Sequence, residues 1–522
     1  MNDPLLINTS QIALLVITVL LAGGSGGAWL RGRYGLALGL LIGAAFALRI
    51  LMATLDPFLH DWDERYHALV AKHLMQDPLR PMLRDRAYLP YDYRGWGGNT
   101  VWMHKQPLFL WQMALSMSLF GVNELALRVP SALLTSLLLY PVYRVGMHLF
   151  ADRDTAYLAA VLVAFANFQL ELISGYIGMD HNDVSFLVYV TASVWAYYEY
   201  RASTQKRVAW LVAVGVFAGA AILCKWLPGL LVYAGWGFAL LLDPVRRRQP
   251  GEYLRLIASV IVAGLVFLPW QLYTAWRFPL ESAHERAYNT RHFFEKLEGN
   301  NVEWYYHFQV LPIHYAGGIL VLIILGLLWA LWHGPRPIEV LVIVATTFIF
   351  FTLAATKMFA YVYVVSPLLL LFAAVPMGAA VRWVRVRAGR VAPAALSVGL
   401  FILVWLDAQP LATYSRHYQD DYYPKMVSTP RAKHLINTAI YRNLDATVPP
   451  GYIIFNAPDG GEIAAMFYCN RPVYAWWPTE PELSALQAQG FRFALFPDRP
   501  GRPTPLFLRQ APGTIVVWGS AE

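Results

Sequence analysis

The feature that most limits how this chain can fold is a succession of apolar runs long enough to cross a lipid bilayer. A spanning helix needs about 20 apolar residues for roughly 30 Å of hydrocarbon, and about twelve runs qualify. They lie near 11–30, 34–55, 126–148, 155–173, 183–201, 208–223, 226–242, 254–276, 313–332, 338–354, 359–380 and 392–408. The 522 residues are 57% hydrophobic and 14% charged, and the mean hydropathy is +0.42. These values describe a polytopic membrane protein rather than a soluble globular one. The first run follows MNDPLLINTS, which has no Lys or Arg, so it reads as a retained span rather than a cleaved signal peptide.

Laid end to end, the runs place RGR (31–33), LFADRD, RASTQKR, RRR (246–248), HGPRP and RWVRVRAGR (382–390) on one side. The positive-inside rule makes that side cytoplasmic. The formal charge of +8 therefore reads as a topology signal, and it excludes a nucleic-acid surface as the main role of the basic residues. The outward segments are then 56–125, 174–183, 224–228, 277–312, 356–357 and everything after about 410. QPLFLWQMALSMSLFG (106–121) is apolar but short, and counting it as a span breaks the charge alternation, so it is assigned to the interface. Cys224 and Cys469 suggest neither a metal motif nor a disulfide framework.

Beyond 410 the composition turns aqueous. Strand-like YIIF (452–455), PVYAWW (472–477), FRFALF (491–496) and TIVVW (514–518) alternate with helix-like EIAAMF (462–467) and ELSALQAQG (482–490). This predicts a membrane domain at 1–409, with a long outer loop at 56–125, and a small α/β domain at 410–522.

Candidate chemistry sits in the outward loops. HDWDERYHALVAKHL (60–74) spaces Tyr66, Leu69, Val70, His73 and Leu74 along one helix face. Asp61 and Glu64 have the three-residue spacing of a capping pair, which leaves Asp63 without a structural task. A carboxylate near a helix N-terminus stays ionised and can act as a base or hold a cation. YIGMDHNDVSF (176–186) adds Asp180 and Asp183, with Asp183 suited to capping the next helix. Lys105, Lys225 and Lys357 lie at outward span ends. Each reads either as a snorkelling side chain or as a clamp for an anionic headgroup.

These motifs resemble a family. DERYHALVAKHL (63–74), HKQPLFLW (104–111), FGVNELALRVPSALL (120–134), GMDHNDVSF, CKWLPGLL (224–231), HERAYNTRHFF (284–294) and TKMFAYVYVVSPLLLL (356–371) are similar to the motifs of bacterial GT-C glycosyltransferases. The type is that of the protein-mannosyltransferases and aminoarabinose transferases, glycosyltransferase family 39, and the likeness runs from about 34 to 380. The resemblance implies an all-α polytopic membrane protein of GT-C fold carrying a small C-terminal α/β domain. It implies Asp63 and Asp180 as catalytic carboxylates and Lys105, Lys225, Lys357 and Tyr361 on the donor phosphate. Glu64, Arg65 and His104 would be supporting residues, and His284 a ligand of a divalent metal, the only cofactor it admits. The chain departs from its relatives at His104, where Glu is frequent, and at Trp226, where Gly is usual.

The implied reaction moves a sugar from a polyprenyl-phosphate donor to an envelope lipid, glycan or protein, on the outer face of a bacterial inner membrane. Cations stabilise the leaving phosphate, a carboxylate takes the acceptor proton, and one in-line displacement inverts the sugar carbon. The competing readings are an oligosaccharide ligase of related fold, a transporter or lipid flippase, and a non-catalytic assembly subunit. A transporter puts its coupling charges near the bilayer midplane, whereas Arg49, Arg144, Glu171 and Glu199 lie near span ends.

Overall fold

The computed structural model describes residues 8–174, 180–297, 302–315, 317–332, 337–407, 431–458, 460–499 and 501–517. Part of the second acidic loop (175–179) and the expected start of the tail (408–430) lie outside the described residues. The chain divides into two compact units. One is Ile7–Ala53 with Ser131–Thr413; the other joins Thr54–Pro130 to the described part of Tyr414–Glu522.

The first unit is all helical, and each predicted apolar run carries helix. Among the described residues, 6 helices are long and apolar enough to cross a membrane, or 8 if each of two bent pairs is one span. Leu227–Leu242, Ile338–Leu353 and Gly389–Leu403 are apolar but shorter. The chain is a multi-pass membrane protein. Close helix contacts rest on small residues, as in lipid-embedded bundles generally: a β-carbon on Gly326 would run into the Phe372 carbonyl.

One break between helices shows how a buried cation is used. The helices Arg153–Phe165 and Asn167–Ser174 meet at 40°, which frees the last carbonyls of the first helix. Arg49, fully buried, donates to the Ala164 carbonyl at 2.9 Å, the Val163 carbonyl at 3.2 Å and the Thr135 hydroxyl at 3.0 Å. Its charge also suits the negative end of the helix dipole. A structural task thus accounts for this buried charge.

The second unit is built on a parallel sheet of order β1-β2-β3, with β1 at Tyr452–Phe455, β2 at Arg492–Leu495 and β3 at Ile515–Val516. Tyr452 pairs with Arg492 and Phe455 with Leu495. The predicted strand 472–477 contributes a single bridge, Val473 beside Ile454. Residues alternate between two cores. Ile453, Phe455, Phe493 and Leu495 pack with Leu483, Leu486 and Leu508. Ile454 and Ala494 pack with Leu69, Val70, Phe109 and Met113 from the loop 56–125. A parallel sheet needs cover on both faces, and here the loop supplies one of them.

The loop and the tail are therefore one folding unit. Lys72 reinforces this by donating at 2.9 Å to the carbonyls of Met466, Phe467 and Cys469, which closes the C-terminal end of the helix Gly461–Tyr468. The helix Leu108–Phe120 has 13 residues, about 20 Å at 1.5 Å per residue, too short to cross hydrocarbon. Both cysteines are free and buried.

Candidate active site

In the second unit, Asp63 opens the helix Asp63–Leu74. Lys105 donates to Asp63 Oδ2 at 3.3 Å. Desolvation works against ionisation of Asp63, but Lys105, His67 and His104 outweigh it and hold the carboxyl below the usual carboxylate range. A half-buried Asp63 is consequently an anion at neutral pH, with its charge balanced by one lysine and turned toward two imidazoles.

Asp61 and Glu64 do not form the predicted capping pair. The helix N-cap is Trp62 and makes no side-chain capping bond. Asp61 instead pairs with Arg65 at 3.2 Å and His434 at 3.5 Å. Glu64 is fully buried against Arg128: Nε to Oε1 is 2.8 Å and Nη2 to Oε2 is 3.0 Å. Arg128 also donates to the carbonyls of Asp56 and Phe58 at 2.7 Å, and Glu64 accepts the His60 amide at 2.8 Å. The geometry won over the capping motif because a buried, bidentate guanidinium satisfies a carboxylate more fully than one backbone amide.

His104 lies edge-on to Trp96, with ring centroids 3.5 Å apart, and faces Trp102 at 5.8 Å. It is set in an aromatic wall.

In the helical unit, the cap that the spacing gave to Asp183 is made by Asp180. Asp180 is the N-cap of His181–Ala202 and accepts the Asn182 amide at 3.1 Å. Asp183, buried one turn on, is the ion-pair partner of Lys225. Lys225 also sits 4.6 Å over the Tyr361 ring, so Asp183, Lys225 and Tyr361 form one cluster. Lys357 is buried and donates to the Ala354 carbonyl at 2.6 Å. Burial, followed by repulsion from Lys296, pushes its ammonium below the usual lysine range. An anion arriving there would reverse that cost.

His284 stacks on Tyr288 with centroids 6.1 Å apart, and among the described residues it is in no group of three or more carboxylate, imidazole or thiol side chains placed to share an ion. Asp63 and His67 do bring a carboxylate oxygen and a ring nitrogen within 4.8 Å of each other. His67 and Arg128 are the residues the sequence reading missed. His67 was legible as the i+4 neighbour of Asp63 on the same helix face, whereas nothing local marked Arg128.

Residues 91–282 match the family model described as dolichyl-phosphate-mannose-protein mannosyltransferase. An undecaprenyl phosphate-alpha-4-amino-4-deoxy-L-arabinose arabinosyl transferase of Pseudomonas fluorescens is 26% identical over 304 residues, 54% of this chain and 48% of that protein. An uncharacterized protein of Aquifex aeolicus is 26% identical over 298 residues, 55% and 54% of the two chains. The chain thus spans about half the length of the curated relatives it matches. The crystal structure of ArnT from Cupriavidus metallidurans in the apo state overlays with a TM-score of 0.59 at 16% identity, covering 89% of this chain and 88% of that one. The same protein bound to undecaprenyl phosphate gives 0.59 at 15%. In sequence over part of its length, and in fold over most of it, the chain is similar to the membrane glycosyltransferases of the protein-mannosyltransferase and aminoarabinose-transferase type.

Proposed function

We propose that this protein is an integral-membrane glycosyltransferase that moves a sugar from a polyprenyl-phosphate donor to an envelope acceptor on the extracytoplasmic face of a bacterial inner membrane. The observation that carries the reading is Asp63: an anionic side chain at the start of an outer-loop helix, fixed by the adjoining Glu64–Arg128 pair. Asp63 takes the proton of the acceptor hydroxyl as it attacks the anomeric carbon. The phosphate leaves with the polyprenol, and its growing charge is met by Lys225 and Lys357, with Tyr361 beside Lys225. The match to the mannosyltransferase model spans Lys105, Asp180 and Lys225, and the relatives' names supply the donor class. Asp180 serves by fixing the start of its helix and so the position of Asp183.

The test is sugar transfer in liposomes by the purified protein, with polyprenyl-phosphate sugars as donors and envelope lipids as acceptors. Transfer that depends on the polyprenyl phosphate supports the reading; its absence with every donor removes it.

Two further results are expected. Lys225→Met and Lys357→Ala should each raise the KM for the donor, because a charge-assisted phosphate contact is worth about 1.5–3 kcal/mol. Normal donor kinetics in both would return these lysines to a purely structural role. Alkaline phosphatase fused after residue 415 should be active and after residue 248 inactive, since six basic loops mark the other side. The opposite pattern would put Asp63 in the cytoplasm and end the proposal.

A further inference from the structure

Trp62, directly ahead of Asp63, has φ 62° and ψ −120°. These are the angles of the first central position of a type II′ turn, where glycine is the default because a β-carbon is crowded there. Strain of this kind persists only where the surroundings over-determine it, and it clusters at functional sites. The surroundings do so here: the His60 amide on Glu64 and the carbonyls of Asp56 and Phe58 on Arg128 fix the chain on its approach to Trp62. The indole does not hold the turn in place. It is 66% exposed, and among the described residues no hydrogen bond, ion pair or ring contact engages it.

Trp62 is thus strained in its backbone while its side chain stands exposed and, among the described residues, unengaged. The helical unit repeats the device: Trp226, next to Lys225, has φ 60°. Of the four non-glycine residues with positive φ among those described, two are tryptophans, and each adjoins a proposed site residue.

We propose that Trp62 is a platform for a sugar ring, its exposed indole stacking on the apolar face of a carbohydrate whose hydroxyl or anomeric carbon reacts beside Asp63. The inference rests on the glycosyltransferase reading and deepens it by naming a residue that selects for the sugar. The ring can come from the donor or from a glycosylated acceptor, since both present the same C–H face.

The experiment compares Trp62→Gly, Trp62→Ala and Trp62→Phe as full-length protein in liposomes. Trp62→Gly should melt about 2–4 °C higher, because glycine relieves the turn. Its KM for one substrate should rise about 3–10-fold, the scale of one lost aromatic contact. Donor KM moving assigns the ring to the donor; acceptor KM moving assigns it to the acceptor. Trp62→Ala should show the kinetic loss without the gain in melting temperature, and Trp62→Phe should keep wild-type KM values. A higher-melting Trp62→Gly protein with both KM values unchanged overturns the platform. So does a lower-melting variant with unchanged kinetics, which would make Trp62 an interfacial anchor. Wild-type protein that transfers no sugar removes the function and this inference together, whereas a working wild type with an unaffected Trp62→Gly removes this inference alone.

Discussion

Asp63→Asn should slow sugar transfer by about 10²–10⁴-fold, the usual worth of a positioned general base, while the protein still inserts and still binds donor. Asparagine keeps the size and much of the hydrogen bonding, so Lys105 retains an oxygen to donate to, at the 3.3 Å contact seen with Asp63. What is lost is the basic lone pair. The pH dependence carries a second, sharper signature. Burial alone would raise the Asp63 pKa, and Lys105, with His67 and His104 beside it, reverses that and depresses it. A carboxyl depressed in the folded state keeps its charge, and its share of stability, above the unfolded pKa and loses both as pH falls through the folded pKa. Transfer should therefore persist to a pH below the ordinary carboxylate range. Lys105→Met removes the largest of the favourable contributions and should move the acid limb upward. An Asp63→Asn protein that is monodisperse and transfers at a near-normal rate would take the base assignment away from Asp63. An acid limb unmoved in Lys105→Met would show that the lysine does not set its ionisation.

The same residues show how far the sequence could be read. The helices were legible because lipid imposes a length on every apolar run, and the helix Asp63–Leu74 because its apolar residues keep one face. The polar partnerships were less so. Capping spacing is a local signal, and at Glu64 a long-range one overrode it: Arg128 stands 64 positions away, beyond the reach of any window. The helix begins at His181, two residues ahead of the span estimate, and that shift moves the cap from Asp183 to Asp180. The tail's strands YIIF and FRFALF could be read from their apolar, β-branched and aromatic runs. Its dependence on the loop 56–125 could not. Only the alternation of Ile453 and Ile454 between two separate cores reveals that the sheet has two faces to cover and that Leu69, Val70, Phe109 and Met113 cover one of them.

Glu64 is the residue whose expected behaviour the structure changes most, and Glu64→Gln should destabilise the unit that carries the sheet by about 3–5 kcal/mol. A partly exposed capping glutamate would cost about 0.5–2 kcal/mol. Here both side chains of the ion pair are wholly inaccessible, so removing the carboxylate charge strands the Arg128 guanidinium in a medium that solvates it poorly. Arg128→Met should cost as much, by stranding Glu64 and freeing the carbonyls of Asp56 and Phe58. The double variant Glu64→Gln with Arg128→Met tests the argument. A buried ion pair replaced on both sides is often close to neutral, so the double variant should recover much of the loss seen in either single one, a coupling of at least about 1 kcal/mol. Asp61→Asn is the control, because its pair with Arg65 is partly exposed and should be worth about 0–1 kcal/mol. Thermal unfolding of the purified protein in detergent reads all four. Transfer should fall in the single variants in proportion to the loss of ordered Asp63, and return with stability in the double one. Additive losses in the double variant would mean that Glu64 and Arg128 act separately, and that something else holds the turn at Trp62.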